Sequence, residues 1–479
     1  MSNIIARHTS TIIPYYNIGD CTYLENMLSV WDSITFANKN LGFIYDEDKK
    51  ELRIPRSISL DFLEKKLNKN IVVDKNHDPF DVASFRMKTM PRNDLQRNSI
   101  SFLLGEGKFD YTKKASQLSL NLETGDGKTY CTIAAMSILK CKTIIFSHKE
   151  DIKEQWLNSL LTMTDIDKDL IFNIDGSKSI KKLLKMDKLP YKVFLVNHRT
   201  ISEYAKKNGN HSITELFNKL RVGLKVYDEA HLSFTNIITV DMYTNTKKTF
   251  YITSTFNRSD YKEDKVFNTC FKNICKFGKE TRDSKRKHII HIAAHFNSKP
   301  NLQDQVKCKK FGRFDKNYYV DYQLSKDYLY RGMIEFINLF KDKDGKLLII
   351  IPKKSSVDLI TKLINEDYPD KVVIPYHSGI PQEIKDKKNE ADIICSTRES
   401  IGTGVDIPGL RFIICTEPYS SQVSADQIPG RLREFAEDKF TFYVELIDTG
   451  FDFSKSMHKR RLKHFEKKCF RITHVDLDI

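Results

Sequence analysis

Two short clusters of residues, Lys128 and Asp228 being 100 positions apart, have the types and spacing to do chemistry together. The first is Thr124-Gly125-Asp126-Gly127-Lys128-Thr129. Small residues let a backbone curl until successive N–H groups face phosphate oxygens, and a following helix adds its positive end. In such a cradle Lys128 reaches the β and γ phosphates of ATP, and the Thr129 hydroxyl sits on Mg²⁺. The strict pattern GxxxxGK[ST] wants glycine where Leu122 stands, so this is the shorter GxGKT form. The second cluster is Asp228-Glu229-Ala230-His231, directly after the apolar run ending at Tyr227. A carboxylate at a strand's carboxyl end can hold Mg²⁺ through water while its neighbour polarises the attacking water. Asp228 takes the first role and Glu229 the second. A polar strand end capping the next helix would explain either cluster alone; it does not explain both, in this order.

The elements that must position these clusters alternate between short apolar runs and longer amphipathic stretches, the pattern of parallel sheets flanked by helices. One set of runs is 143–146, 193–196, 224–227 and 250–252; a second is 347–351, 372–374, 393–395, 412–415 and 442–446. The charged stretch 279–287 separates them, as a boundary between lobes would. The first 85 residues read differently, with a hairpin of 41–45 and 52–55 around a charged turn, then a helix over 60–67. The expected organisation is a small accessory domain at 1–85, an ATP-binding lobe at 86–285 and a second lobe at 286–479.

Lysine and arginine outnumber aspartate and glutamate by 78 to 63, a net charge of +15 that favours a polyanionic partner. No run approaches the roughly 18 apolar residues of a membrane span. The amino terminus lacks the features of a signal peptide, so a cytoplasmic location is expected. The nine cysteines are scattered and odd in number, which points to reduced thiols rather than a disulfide framework. Cys270, Cys275 and Cys308 lack the paired spacing of a zinc site. Histidines 288, 291 and 295 read as strand residues distributed over both faces.

With these motifs in place the chain resembles the superfamily 2 helicases and translocases. Pro91 to Gln96 resembles the family's adenine-reading segment, with Gln96 as its glutamine. Ile144 to Lys149, followed by Gln155-Trp156, resembles the strand and helix that meet the tracked strand, placing Ser147 and His148 on nucleic acid. Thr253-Ser254-Thr255 resembles the coupling motif, with His231 as its link to the nucleotide; Phe256 stands where proline is usual. Ser396-Thr397 and Gly402-Thr403-Gly404-Val405-Asp406 resemble the segment that touches nucleic acid and, through Asp406, the ATP ribose. Gln427 to Arg431 resembles the start of the QxxGRxxR helix, implying that Gln427 and Arg431 act in hydrolysis. The second arginine of that pattern falls on Glu434, with Arg433 one residue early, so Arg431 is the stronger expectation.

The resemblance implies an α/β fold of two RecA-like parallel-sheet lobes in tandem with a small N-terminal domain, and ATP with Mg²⁺ as cofactors. Within the superfamily, Leu52 to Arg56 and the GVDIP segment look most like phage recombination helicases of the UvsW type, relatives of the XPB group and the poxvirus transcript-release helicase. The expected activity is a DNA helicase that unwinds or branch-migrates DNA in replication, recombination or repair. The alternative is a factor that displaces RNA or protein from DNA without productive unwinding. Expected partners are single-stranded, forked or junction DNA or an RNA:DNA hybrid, with no membrane and the chain acting as a monomer.

Overall fold

The computed structural model describes residues 3–32, 37–123, 125–254, 261–278, 286–310, 313–401, 407–420, 425, 428–432, 435 and 440–479. The chain forms two compact units, Met1–Thr281 and Arg282–Ile479.

The first unit begins with the strands β1 (Ile4–Ala6), β2 (Ser10–Pro14), β3 (Ser29–Asp32), β4 (Ala37–Asn40), β5 (Ile44–Asp46), β6 (Glu51–Pro55) and β7 (Ile71–Val73). Five of them make a sheet in the order β5-β6-β2-β1-β7, and β3 pairs with β4 in a separate ribbon. The expected hairpin is β5 against β6, and the expected helix is Leu60–Leu67. That helix starts where the Ser59 hydroxyl accepts from Phe62 N–H and stops at Asn68 in the left-handed conformation. The five-stranded sheet packs with the lobe that follows it inside one compact unit. Its Ile13, Leu52 and Ile54 share one apolar core with Phe146, Tyr227, Phe234 and Phe267. The Thr9 hydroxyl donates to the carbonyls of Asp241 (2.9 Å) and Thr244 (2.7 Å), and Arg53 donates to the Met242 carbonyl at 3.0 Å.

The lobe itself is a seven-stranded, all-parallel sheet of β8 (Gln117–Asn121), β9 (Thr143–Ser147), β10 (Ile171–Ile174), β11 (Val193–Asn197), β12 (Leu224–Asp228), β13 (Lys248–Thr253) and β14 (Cys275–Gly278), ordered β10-β11-β9-β12-β13-β8-β14. Alternate residues feed two cores: Ile144, Phe146, Phe194 and Val196 face one, while Ile145, Val193 and Leu195 face the other. Burial on both faces explains why the central strands read as unbroken apolar runs.

The second unit contains β15 (Arg286–Phe296), a ribbon of β16 (Lys309–Lys310) and β17 (Arg313–Phe314), then β18 (Lys346–Ile350), β19 (Val373–Tyr376), β20 (Ile393–Ser396), β21 (Leu410–Cys415), β22 (Thr441–Asp448) and β23 (Cys469–Asp476). Seven of these form another all-parallel sheet, β19-β20-β18-β21-β22-β15-β23. Numbered from its own first strand, each seven-stranded sheet has the same order, 3-4-2-5-6-1-7. Thus the lobes repeat each other in topology although no repeat is visible in sequence.

The loop after β15 is closed by the unit's own groups. The Asp448 carboxylate accepts from Ser298 N–H (3.2 Å), Gly450 N–H (2.8 Å), the Ser298 hydroxyl and the Gln323 amide. Elsewhere the helix Asp452–Lys468 is pinned to the sheet by a buried ion pair of Arg461 with Glu445. Arg461 also lies 4.3 Å over the Tyr419 ring, and Tyr419 and Tyr443 join hydroxyls at 2.9 Å.

Candidate nucleotide-hydrolysis site

β8 delivers the chain into the phosphate loop, and the helix Lys128–Leu139 carries it away. Gly125 and Gly127 have φ of 95° and 90°, a left-handed backbone that side chains with Cβ rarely adopt. At Gly127 there is also no room, since an added Cβ would come within 2.3 Å of Gln96 Nε2. Gln96 is buried beside the loop, donates to the Asp126 carbonyl at 3.2 Å and accepts from Arg92 N–H at 2.9 Å. Arg92 itself donates to the Gly125 carbonyl at 3.2 Å. The Lys128 ammonium donates to the Leu122 and Glu123 carbonyls at 3.0 and 3.2 Å, holding a cation inside the curl of the loop. Thr129 opens the same helix, and Thr124 lies outside the described residues.

β12 ends in Asp228, whose carboxylate accepts from Trp156 Nε1 (2.8 Å) and from Glu229 N–H (3.0 Å). Burial, and next the charge of Glu229, push the Asp228 carboxyl up to about 6, while the Trp156 donor and the Lys128 charge act the other way. The two clusters found in sequence therefore sense each other electrostatically. Glu229 has φ 46°, a strained conformation for a residue with a side chain, of the kind concentrated at functional sites. Its carboxylate lies 3.5 Å from the Thr253 hydroxyl at the end of β13 and 3.4 Å from His231 Nδ1. His231 and Thr253 are themselves 2.8 Å apart. Catalytic and coupling candidates thus form one buried cluster, and parallel pairing of β12 with β13 sets it.

Ser147 is buried at the end of β9, donating to the Lys149 carbonyl (3.2 Å) and to Asn197 (3.0 Å). Burial, then the charges of Lys149, His198 and His231, press His148 down to about 3, so its ring is neutral. Two supporting residues were not expected beside Asp228. Trp156 fixes the Asp228 carboxylate, and buried His198 meets the Asp228 carbonyl at 3.2 Å with its own value pushed down to about 4 by burial. In the sequence Trp156 is marked as part of the Gln155-Trp156 segment expected to meet the tracked strand, not as a partner of Asp228; nothing marks His198.

In the second unit, the buried Thr397 bonds Ser400 through its hydroxyl (2.8 Å) and caps the helix Arg398–Ile401. Arg431 ends a 3-10 turn, Pro429–Arg431. Thr255, Gly402, Thr403, Asp406, Gln427 and Arg433, and the charged boundary 279–285, lie outside the described residues.

The donor set fits a Mg²⁺ nucleotide: a hydroxyl and a carboxylate are hard oxygen ligands, and a lysine with left-handed glycines suits phosphate. A family model described as "Type III restriction enzyme, res subunit" matches residues 89–258, which include both clusters. A mimivirus protein of Acanthamoeba polyphaga, "Putative ATP-dependent RNA helicase L396", is 23% identical over 356 residues, 73% of this chain and 63% of its own length. Over these residues the chain is similar to helicases of superfamily 2. Another superfamily relative, "DNA 3'-5' helicase XPB" of Kineococcus radiotolerans, is 28% identical over 146 residues, 30% of this chain and 24% of that one. The chain therefore spans less than two thirds of either relative's length. Among solved structures, S. cerevisiae Dbp5 bound to RNA and ADP BeF3 shares the helicase fold with a TM-score of 0.56 at 14% identity, covering 80% of this chain and 90% of that one. A match to T4 UvsW spans 99% and 100% of the two chains at 13% identity, but at a TM-score of 0.36 it carries no structural weight.

Proposed function

We propose that this superfamily 2 chain is an ATP-driven nucleic-acid translocase, specifically a DNA helicase that unwinds or branch-migrates DNA in replication, recombination or repair. The observation that supports it most is the Glu229–Thr253–His231 cluster. A carboxylate placed to polarise water shares its contacts with a strand end, so a change at the γ-phosphate alters the backbone beyond it. In this reading Lys128, Gly125, Asp126, Gly127 and Thr124 hold the phosphates. Thr129 and Asp228 hold Mg²⁺, which neutralises phosphate charge when bound. Glu229 orients the attacking water, and Arg431, with Gln427 and Arg433, stabilises charge on the transferring phosphoryl group. Gln96 and Asp406 contact the nucleoside, while Ser147, His148, Thr397, Gly402 and Thr403 contact the strand. Thr253, Thr255 and His231 couple the two.

A second reading is displacement of RNA from DNA without productive unwinding. It is favoured by the RNA helicase name of the mimivirus relative and by the RNA in the Dbp5 complex. ATP turnover and strand displacement on single strands, forks, four-way junctions and RNA:DNA hybrids separate the two. DNA junctions should stimulate turnover most, and Lys128→Ala and Glu229→Gln should each lower it by about 100-fold or more. Unchanged turnover in either variant overturns the site; stimulation by hybrids alone overturns the DNA assignment.

A further inference from the structure

Away from the nucleotide site, the second unit gathers three histidines from three elements. One ring nitrogen each from His295, His458 and His474 lies within 4.8 Å of the others. The register of β15 with β23 sets this: His474 stands opposite Ala293 and Asp476 opposite His295. Alternation puts all four on one face, and the small Ala293 side chain leaves room between the rings. His295 Nε2 and His474 Nδ1 are 3.0 Å apart, with the rings nearly parallel at 10°.

His458 makes the arrangement more than a surface pair. It is 7% exposed, and its Nδ1 is held 2.9 Å from Glu445 Oε2. Its other nitrogen, Nε2, is buried without a hydrogen-bond partner, an unfavourable state if nothing fills the position. A hydrogen bond between His295 and His474 accounts for those two rings but leaves this nitrogen unexplained. A ring with a carboxylate behind one nitrogen and its other nitrogen open is how metal-ligating histidines are oriented.

The geometry points to a Zn²⁺ site with His295, His458 and His474 as ligands, Glu445 supporting His458, and water at the fourth, solvent-facing position. Zinc takes imidazole nitrogens at about 2.0–2.1 Å in a tetrahedron, which spaces the nitrogens by about 3.3 Å. The His295–His474 pair is already near that spacing, and small ring rotations bring in the third. Bound zinc would tie β23 and the helix Asp452–Lys468 to β15, clamping the last strand of the sheet.

The test uses the full chain, stripped with chelator and titrated with Zn²⁺ by calorimetry, with the visible spectrum of the Co²⁺ form as a geometric readout. Wild type should bind one Zn²⁺ per chain, gain thermal stability with it, and show the intense bands of tetrahedral Co²⁺. His474→Gln, at an exposed position where folding is preserved, should weaken binding by at least about 100-fold and abolish the stabilisation. His77→Gln, an exposed histidine of the first unit, should change neither. Binding in His474→Gln within a few-fold of wild type, equal loss in His77→Gln, or an octahedral Co²⁺ spectrum would overturn the site.

Discussion

Replacing Asp228 by asparagine should make the nucleotide-free protein more stable while destroying its activity. The folded lobe raises Asp228 from 3.8 to about 6, so it holds that proton more tightly than the unfolded chain does. The stability linked to the proton is complete below pH 3.8 and is lost as pH rises through about 6. At 1.36 kcal/mol per unit, the loss reaches about 3 kcal/mol by pH 8 and about half that at pH 5. Asp228 is only partly buried, so solvent screening reduces the figure at pH 8 to about 2 kcal/mol. Asparagine carries no charge, and its oxygen can still accept from Trp156, but its amide then faces Glu229 N–H at a cost of about 1 kcal/mol. The net gain is about 1 kcal/mol at pH 8 and close to none at pH 5. Thermal denaturation should show Asp228→Asn melting about 2–4 °C above wild type at pH 8, with ATP turnover lost. A melting point at or below wild type at pH 8, or the same gain at both pH values, refutes the reasoning.

Thr253→Val keeps the volume of β13 but removes the hydroxyl between Glu229 and His231. It should leave nucleotide-stimulated turnover within about tenfold of wild type while strand displacement falls further, measured as base pairs opened per ATP. Removing residues 1–85 strips the elements packed on the helices Phe234–Met242 and Tyr261–Cys270 and cuts the Thr9 and Arg53 bonds. The truncated chain should therefore aggregate or bind a hydrophobic dye, rather than simply change substrate preference. Arg461→Ala strands the Glu445 carboxylate inside the second unit and should cost about 3–5 kcal/mol in urea denaturation.

The parts of the site that act through backbone and local order were legible in the sequence. Gly125 and Gly127 announced a left-handed loop, and an apolar run ending in Asp228-Glu229 announced a parallel strand's carboxyl end. The doubly buried strands were plain for the same reason: Val193 to Val196 and Leu347 to Ile350 have no polar face to break the run. β10 and β14 did not stand out, being four-residue strands at the sheet's margins, and β8 was masked because Gln117, Ser119 and Asn121 alternate with its leucines. β23 was hidden by polar residues such as Arg471, Thr473 and His474, because it too is an edge strand. Nor could spacing show that Trp156 would reach Asp228 across 72 residues, or that the N-terminal sheet would share a core with the lobe. Both depend on which helix covers which strand, a long-range choice that local patterns do not encode.

The common strand order gives the loop after β15 a particular significance. It occupies the position in the second sheet that the phosphate loop occupies in the first, after strand 1 in each. In the first sheet that position offers glycines and a lysine to an anion from outside. In the second, an anion is already there: the Asp448 carboxylate takes the N–H groups of Ser298 and Gly450 and the Ser298 hydroxyl. A built-in, covalently attached anion cannot be exchanged or cleaved. Under the proposed function the chain would take one nucleotide, because in the second sheet the matching donors are already held by the chain's own side chain.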